Sequence, residues 1–171
     1  MNHIVLYEPE IPQNAGNIVR TAVANQMVLH FIRPLGFHLS GKAVSRSAVN
    51  YLDKITYHVH DTFEDFLETT NGNLYFITRY GDRRPDQLEL TDQMEDIYFV
   101  FGSESSGVPK RILQQYLDRC IRIPMHPSMR SLNLANSVAI VAYEIMRQQG
   151  FANLSTVEPP EQKGKDYLKK D

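Results

Sequence analysis

The chain reads as an α/β protein with a mostly parallel sheet covered by helices on both faces. Two observations predict this class. Short apolar runs alternate with helical patterns along most of the 171 residues. The runs at 4–7, 28–32, 55–59, 74–78, 97–101 and 120–123 are of strand length, and two of them, 4–7 and 97–101, are apolar throughout, as strands buried on both faces are. A hydrophobic content of 42% is enough for one core in a chain of this length.

The elements follow in order. The run 4–7 is the first strand. The first helix then carries Ile18, Val19, Ala22, Val23 and Met27 on one face, and Asn14 is its expected cap. Strands at 28–32 and 55–59 frame a polar, helix-starting segment, 41–46 (GKAVSR), and a short helix over 63–67 leads to the strand at 74–78. The strand 97–101 breaks into a glycine-bounded loop and a helix started by Pro109. After the strand at 120–123 a loop feeds the last long helix, whose Leu134, Ala135, Val138, Ala139, Val141, Ala142, Ile145 and Met146 surround most of its circumference. A helix apolar nearly all round implies either a homodimer contact or a central position in its own core. Residues 1–150 form one domain on this reading, and 151–171, with Pro159, Pro160 and the run 163–170 (KGKDYLKK), form a loosely ordered polar tail.

A single cysteine, Cys120, leaves no internal disulfide. Together with the lack of a basic segment followed by an apolar run, it points to the reducing cytoplasm. No apolar window has the length of a membrane span. The net charge of −2 gives no overall attraction to nucleic acid, so local clusters must carry any such role.

Three polar loops at strand ends are the richest part of the sequence: 8–20 (EPEIPQNAGNIVR), 98–109 (YFVFGSESSGVP) and 123–139 (IPMHPSMRSLNLANSVA). Their positions imply one shared site. The loop from Gly102 to Gly107 has the glycine spacing of a phosphate loop, but Val108 and Pro109 stand where that motif demands a lysine and a hydroxyl. No glycine fingerprint for a dinucleotide follows the first strand. What remains is a site of exposed backbone groups near Thr78, Phe101 and Ile123, suited to a neutral or cationic ligand with an adenine edge.

The segments 14–22 (NAGNIVRTA), 101–109 and 123–139 resemble, in order, the three motifs of the SPOUT-class RNA ribose 2′-O-methyltransferases. Within that class the opening 4–14 (IVLYEPEIPQN) is similar to the smallest members, which act on the cytidine or uridine at the tRNA wobble position. The resemblance spans residues 2 to about 150. It implies a deep trefoil knot in the C-terminal half, a homodimer, and S-adenosylmethionine as donor with S-adenosylhomocysteine as product. It implies a cofactor site from Ile77, Thr78, Gly102, Gly107, Ile123, Ser131 and Leu132, and no metal. Arg20 would face the acceptor ribose, with Asn14, Glu104, Ser131 and Asn133 ordering it.

Physical alternatives stand beside those roles. A guanidinium with a pKa above ~12 is a poor base, so Arg20 fits charge stabilisation or phosphate-assisted deprotonation better. Glu104 could instead stabilise the next helix N-terminus, and Asn133 and Asn136 could be helix-start hydrogen bonders. Arg130 is a candidate phosphate or substrate contact, Arg46 a candidate contribution from a partner subunit, and Tyr143 a candidate active-site or dimer residue. Arg33, Lys42, Lys54, Arg79, Arg83 and Arg84 complete the candidate RNA-facing cations. His58 and His60 share a strand face without a ligand partner at metal spacing. The expected activity is wobble-nucleotide 2′-O-methylation, with leucine tRNAs as substrates. The alternatives are methylation of ribosomal RNA or another tRNA position, and a catalytically silent RNA-binding dimer.

Overall fold

The computed structural model describes residues 1–49, 51–91 and 95–169, so Lys170 and Asp171 of the expected tail lie outside the described residues. Six strands, β1 (Asn2–Tyr7), β2 (Val28–Ile32), β3 (Tyr57–His60), β4 (Gly72–Ile77), β5 (Asp96–Phe101) and β6 (Cys120–Ile121), form one sheet. Their order is β3-β2-β1-β5-β4-β6, and every pairing is parallel.

Strand periodicity sorts the core into two layers. Ile4, Leu6, Leu29, Phe31, Ile97, Phe99 and Phe101 face α1 (Pro12–Ala24) and α5 (Leu134–Gln148). The alternate residues Val5, Tyr7, Ile32, Leu74, Phe76, Tyr98 and Val100 face α3 (Phe63–Thr69) and α4 (Lys110–Leu113). α2 (Lys42–Ala48) packs on α1. That contact requires Gly16, where an added Cβ would stand 2.3 Å from Ser47 Cβ and 2.8 Å from the Ala48 nitrogen.

Four sequence expectations change, the first being Met27, which lies beyond the end of α1 at Ala24 and is buried in the core from there. α1 begins at Pro12 with Ile11 as its N-cap, so Asn14 is a helical residue and its side chain is free for other work. Residues 55 and 56 precede β3, and the strand after Arg119 ends at Ile121. α5 buries Leu134, Ala135, Val138, Val141, Ala142, Ile145 and Met146 within its own chain and leaves Ile140 and Tyr143 exposed.

Beyond α5, Phe151 and Leu154 pack on the core, and Gln26 Nε2 donates to the Asn153 carbonyl at 3.0 Å. Among the described residues, no helix is long and apolar enough to cross a membrane.

The loop after β4 sits on both sides of β6. Thr78 N donates to Ile121 O at 2.9 Å, and Arg122 N donates to Arg83 O at 2.8 Å. Gly81 permits this, because a Cβ there would lie 2.6 Å from the Cys120 carbonyl oxygen. The result is a fixed loop at the carboxyl end of the sheet, where open α/β sheets bind ligands.

Candidate active site

A cavity of about 620 Å³ opens at the carboxyl ends of β4, β5 and β6. The three polar loops of the sequence meet there. Ile77 and Thr78 come from the end of β4, Gly102 and Gly107 from the loop after β5, and Ile123, Arg130, Ser131, Leu132 and Asn133 from the segment before α5. Asn14 reaches it from α1.

The glycine loop is folded back on itself. Ser103 and Gly107 form an antiparallel bridge, with Gly107 N donating to Ser103 O at 3.0 Å. Gly107 sits at φ +71°, and a Cβ on Gly102 would lie 2.2 Å from the Gly107 carbonyl carbon. Side chains are excluded, so the cavity wall here is backbone.

Glu104 is the junction of the site. Its carboxylate accepts from Glu10 N at 2.8 Å, Ile11 N at 3.1 Å and Asn14 Nδ2 at 3.0 Å. The helix end it serves is therefore that of α1, and not the next helix in sequence. A carboxylate beside unpaired amides at a helix start is stabilised by both hydrogen bonding and the helix dipole. Asn14 Oδ1 in turn accepts from Asn133 Nδ2 at 3.0 Å. Asn133 also caps α5, its Oδ1 accepting from Asn136 N at 3.2 Å. The cap and the site contact are one residue. Ser105 Oγ donates to Glu10 Oε1 and ties the same two loops again.

Other candidates are placed elsewhere. Arg20 is exposed on α1, ~9 Å along the axis from Asn14 and about 120° around it by helix geometry, and is absent from the cavity wall. Arg46 is exposed on α2. Tyr143 lines a second hollow with Pro85, Pro124, Ile140 and Arg147. Of the other cations, Arg33 bonds Asp61, Arg84 bonds Asp86, and Arg83 donates to Gln87 O. Sequence reasoning did not single out Ile11, Tyr80, Met125 or Ser137, all on the cavity wall. Ile11, Met125 and Ser137 lie within two of the three loops, and Tyr80 follows the expected strand end at Thr78.

His58 and His60 belong to a separate cluster. His30 Nε2 lies 2.9 Å from His3 Nδ1, and His30 Nδ1 lies 3.0 Å from His60 Nε2. His58 stacks on His30 with ring centroids 5.1 Å apart. Burial, then the neighbouring imidazoles, hold His30 down to about 3, and burial also lowers His3 and His60. Among the described residues, no group of His, Cys, Asp and Glu could hold a metal ion.

The SpoU rRNA Methylase family profile matches residues 1–143. The chain belongs to this family. A Geobacillus stearothermophilus protein, provisionally named a tRNA (cytidine(34)-2′-O)-methyltransferase, is 44% identical over 154 residues, 90% of this chain and 98% of that one. The crystal structure of an RNA methyltransferase so assigned from Bacillus anthracis superposes with a TM-score of 0.86 at 40% identity, covering 91% of this chain and 98% of that one. A structure described in terms of 2-OH methylation of C/U34 on tRNA superposes with a TM-score of 0.82 at 40% identity, covering 88% and 97%. These likenesses confirm the α/β class of the SPOUT fold.

Proposed function

We propose that this protein is an S-adenosylmethionine-dependent 2′-O-methyltransferase of the tRNA wobble nucleotide, a cytidine or modified uridine, in leucine tRNAs. One observation carries the proposal: three loops distant in sequence close on one cavity and are bonded to each other through Glu104, Asn14 and Asn133. The near full-length similarity to a relative named for that activity supports the choice of substrate.

The residues present fit the donor. A volume of about 620 Å³ is in the range of cofactor sites. Bare backbone at Gly102 and Gly107, the Gly107 amide being taken by Ser103 O, lets an adenine edge approach the main chain closely. Ile77, Ile123 and Leu132 supply apolar walls, and Thr78 and Ser131 polar edges. When bound, S-adenosylmethionine supplies an electrophilic sulfonium methyl. The remaining work is alignment of a ribose hydroxyl and management of its proton, and alignment alone can be worth ~7 kcal/mol or more.

Asn14, Glu104 and Asn133 act by fixing the loops that orient the two reactants. Arg130 supplies positive charge at the rim of its own cavity, and Arg20, which lies off that cavity wall on the outer face of α1, supplies it across the homodimer to the ribose and phosphate held at the partner's cavity. Both are exposed cations, suited to phosphate.

The enzyme works as a cytoplasmic homodimer through the exposed strip of Ile140 and Tyr143, with Arg46 reaching the partner's substrate. Residues 1–150 make the catalytic domain, and the segment beyond is an appendage. The grip of the 78–83 loop on both sides of β6 supports a knotted threading of the C-terminal half.

Incubation of purified protein with labelled S-adenosylmethionine and a mixture of undermodified tRNA and ribosomal RNA, followed by separation and digestion, tests the proposal. Label in 2′-O-methylated nucleotide 34 is the expected result; label in ribosomal RNA alone would overturn it.

A further inference from the structure

Tyr80 is 74% exposed, the most exposed of the tyrosines and phenylalanines among the described residues, yet it stands on a loop with little freedom. The backbone beneath it is fastened on every side. Thr78 N bonds Ile121 O at 2.9 Å, the Arg122 guanidinium donates to Arg79 O, and Gly81 sits where even a Cβ would collide with the strand behind. A rigid loop that holds a large ring in water forgoes the burial that such a ring ordinarily provides. Its neighbours indicate what covers it.

Tyr80 is on the wall of the donor cavity together with Arg79 and Arg130. The Arg79 guanidinium lies 5.6 Å from the Tyr80 ring centroid. Neither arginine has an ion-pair partner among the described residues. A flat aromatic ring with one cation over it and a second on the same cavity wall, neither of them ion-paired, matches an unpaired nucleotide, whose base stacks on the ring's other face while its phosphates meet the guanidinium groups. An apolar peptide would match the ring and leave the charges unanswered.

We propose that Tyr80 is the stacking platform for the nucleobase of the methyl-accepting nucleotide, and that Arg79 and Arg130 hold the phosphates flanking it. The proposal rests on the reading of the chain as an RNA ribose methyltransferase. It adds a specificity element to that site: recognition through the base's π face, which tolerates different bases but requires one to be present and unpaired.

The test uses the full-length protein, S-adenosylmethionine, and two anticodon stem–loop RNAs, one intact and one abasic at the accepting ribose with its 2′-hydroxyl retained. With the intact RNA, Tyr80→Leu raises KM about tenfold or more with a smaller change in kcat, as expected for the loss of one base stack. Tyr80→Phe, which keeps the ring, restores most of the loss. With the abasic RNA, wild type and Tyr80→Leu perform alike, since there is no base left to stack.

Equal KM for wild type and Tyr80→Leu on the intact RNA overturns the proposal. So does a penalty of the same size on both RNAs. A change in donor affinity, oligomeric state or thermal midpoint in Tyr80→Leu would also overturn it, by showing a structural role. Wild-type protein that methylates neither stem–loop nor tRNA refutes the underlying enzymatic reading, an outcome distinct from an active wild type with an indifferent Tyr80.

Discussion

Asn14 and Glu104, 90 positions apart in the chain, are joined by a 3.0 Å hydrogen bond from the amide of one to the carboxylate of the other. Through it the first helix is fastened to the glycine loop after β5. The carboxylate takes two backbone donors besides, so Glu104→Gln replaces one acceptor oxygen with an NH₂ group that faces other donors. The substitution should cost about 1–3 kcal/mol of stability and lower methyl transfer at least tenfold. Chemical denaturation and a labelled-methyl assay check both.

Gly16→Ala places a Cβ within 3 Å of Ser47 Cβ, Ala48 N and Val44 O. Two of these are backbone atoms that cannot rotate away. We expect a loss of about 1–3 kcal/mol, typical of overpacking, and only partial recovery in the double variant Gly16→Ala, Ser47→Gly. Thermal melts followed by circular dichroism measure it.

His30 makes stability fall in mild acid. Its folded-state pKa of about 3 lies below the unfolded value of 6.5, so the unfolded chain binds more protons between those limits. The stabilisation is complete above pH 6.5 and is lost as pH falls toward 3. His30 alone gives a slope approaching ~1.4 kcal/mol per pH unit, and His3 and His60, also lowered, act in the same direction. The cluster is faced by His58, Tyr98 and Asp96, and Asp96 Oδ2, 3.5 Å from His3 Nε2, opposes the trend. Urea titrations at pH 7.5, 6.5 and 5.5 read the slope, which His30→Phe should flatten.

Arg20 has no described bond to lose, so Arg20→Ala should change stability by less than about 0.5 kcal/mol. It should nevertheless reduce transfer by about a hundredfold or more while donor affinity, read by calorimetry, stays within about twofold. Arg20→Lys should fail as well, because an ammonium lacks the planar fork. Loss of donor binding in either variant would assign Arg20 a structural role.

The proposed homodimer is tested at Tyr143. Val138 and Ala142, two of the apolar residues that the sequence spreads around α5, are 0% and 2% exposed, so a charge there unfolds the chain and reports nothing about assembly. Tyr143→Glu alters a side chain that is 51% exposed. It should yield a folded monomer in sedimentation analysis, with activity reduced together with assembly.

The sheet was legible because strands buried on both faces leave apolar runs that polar loops interrupt, and the three site loops because each follows such a run. Glu104, Asn14 and Asn133 were legible as a group through their motifs. Their bonding was not, since local sequence makes Asn14 a cap, whereas Pro12 starts the helix earlier and frees its side chain. The His3, His30 and His60 line was hidden for another reason. It depends on the register of three neighbouring strands, which no single segment encodes. Tyr80 was hidden because exposure is set by what packs around a loop.

A crystal structure with S-adenosylhomocysteine is the most direct measurement. The adenosine should lie between Gly102, Gly107, Ile123 and Leu132, with the sulfur toward the cavity mouth beside Ser131. Density for the nucleoside elsewhere on the surface, or failure to bind in solution, would contradict the convergence of the three loops on one donor site.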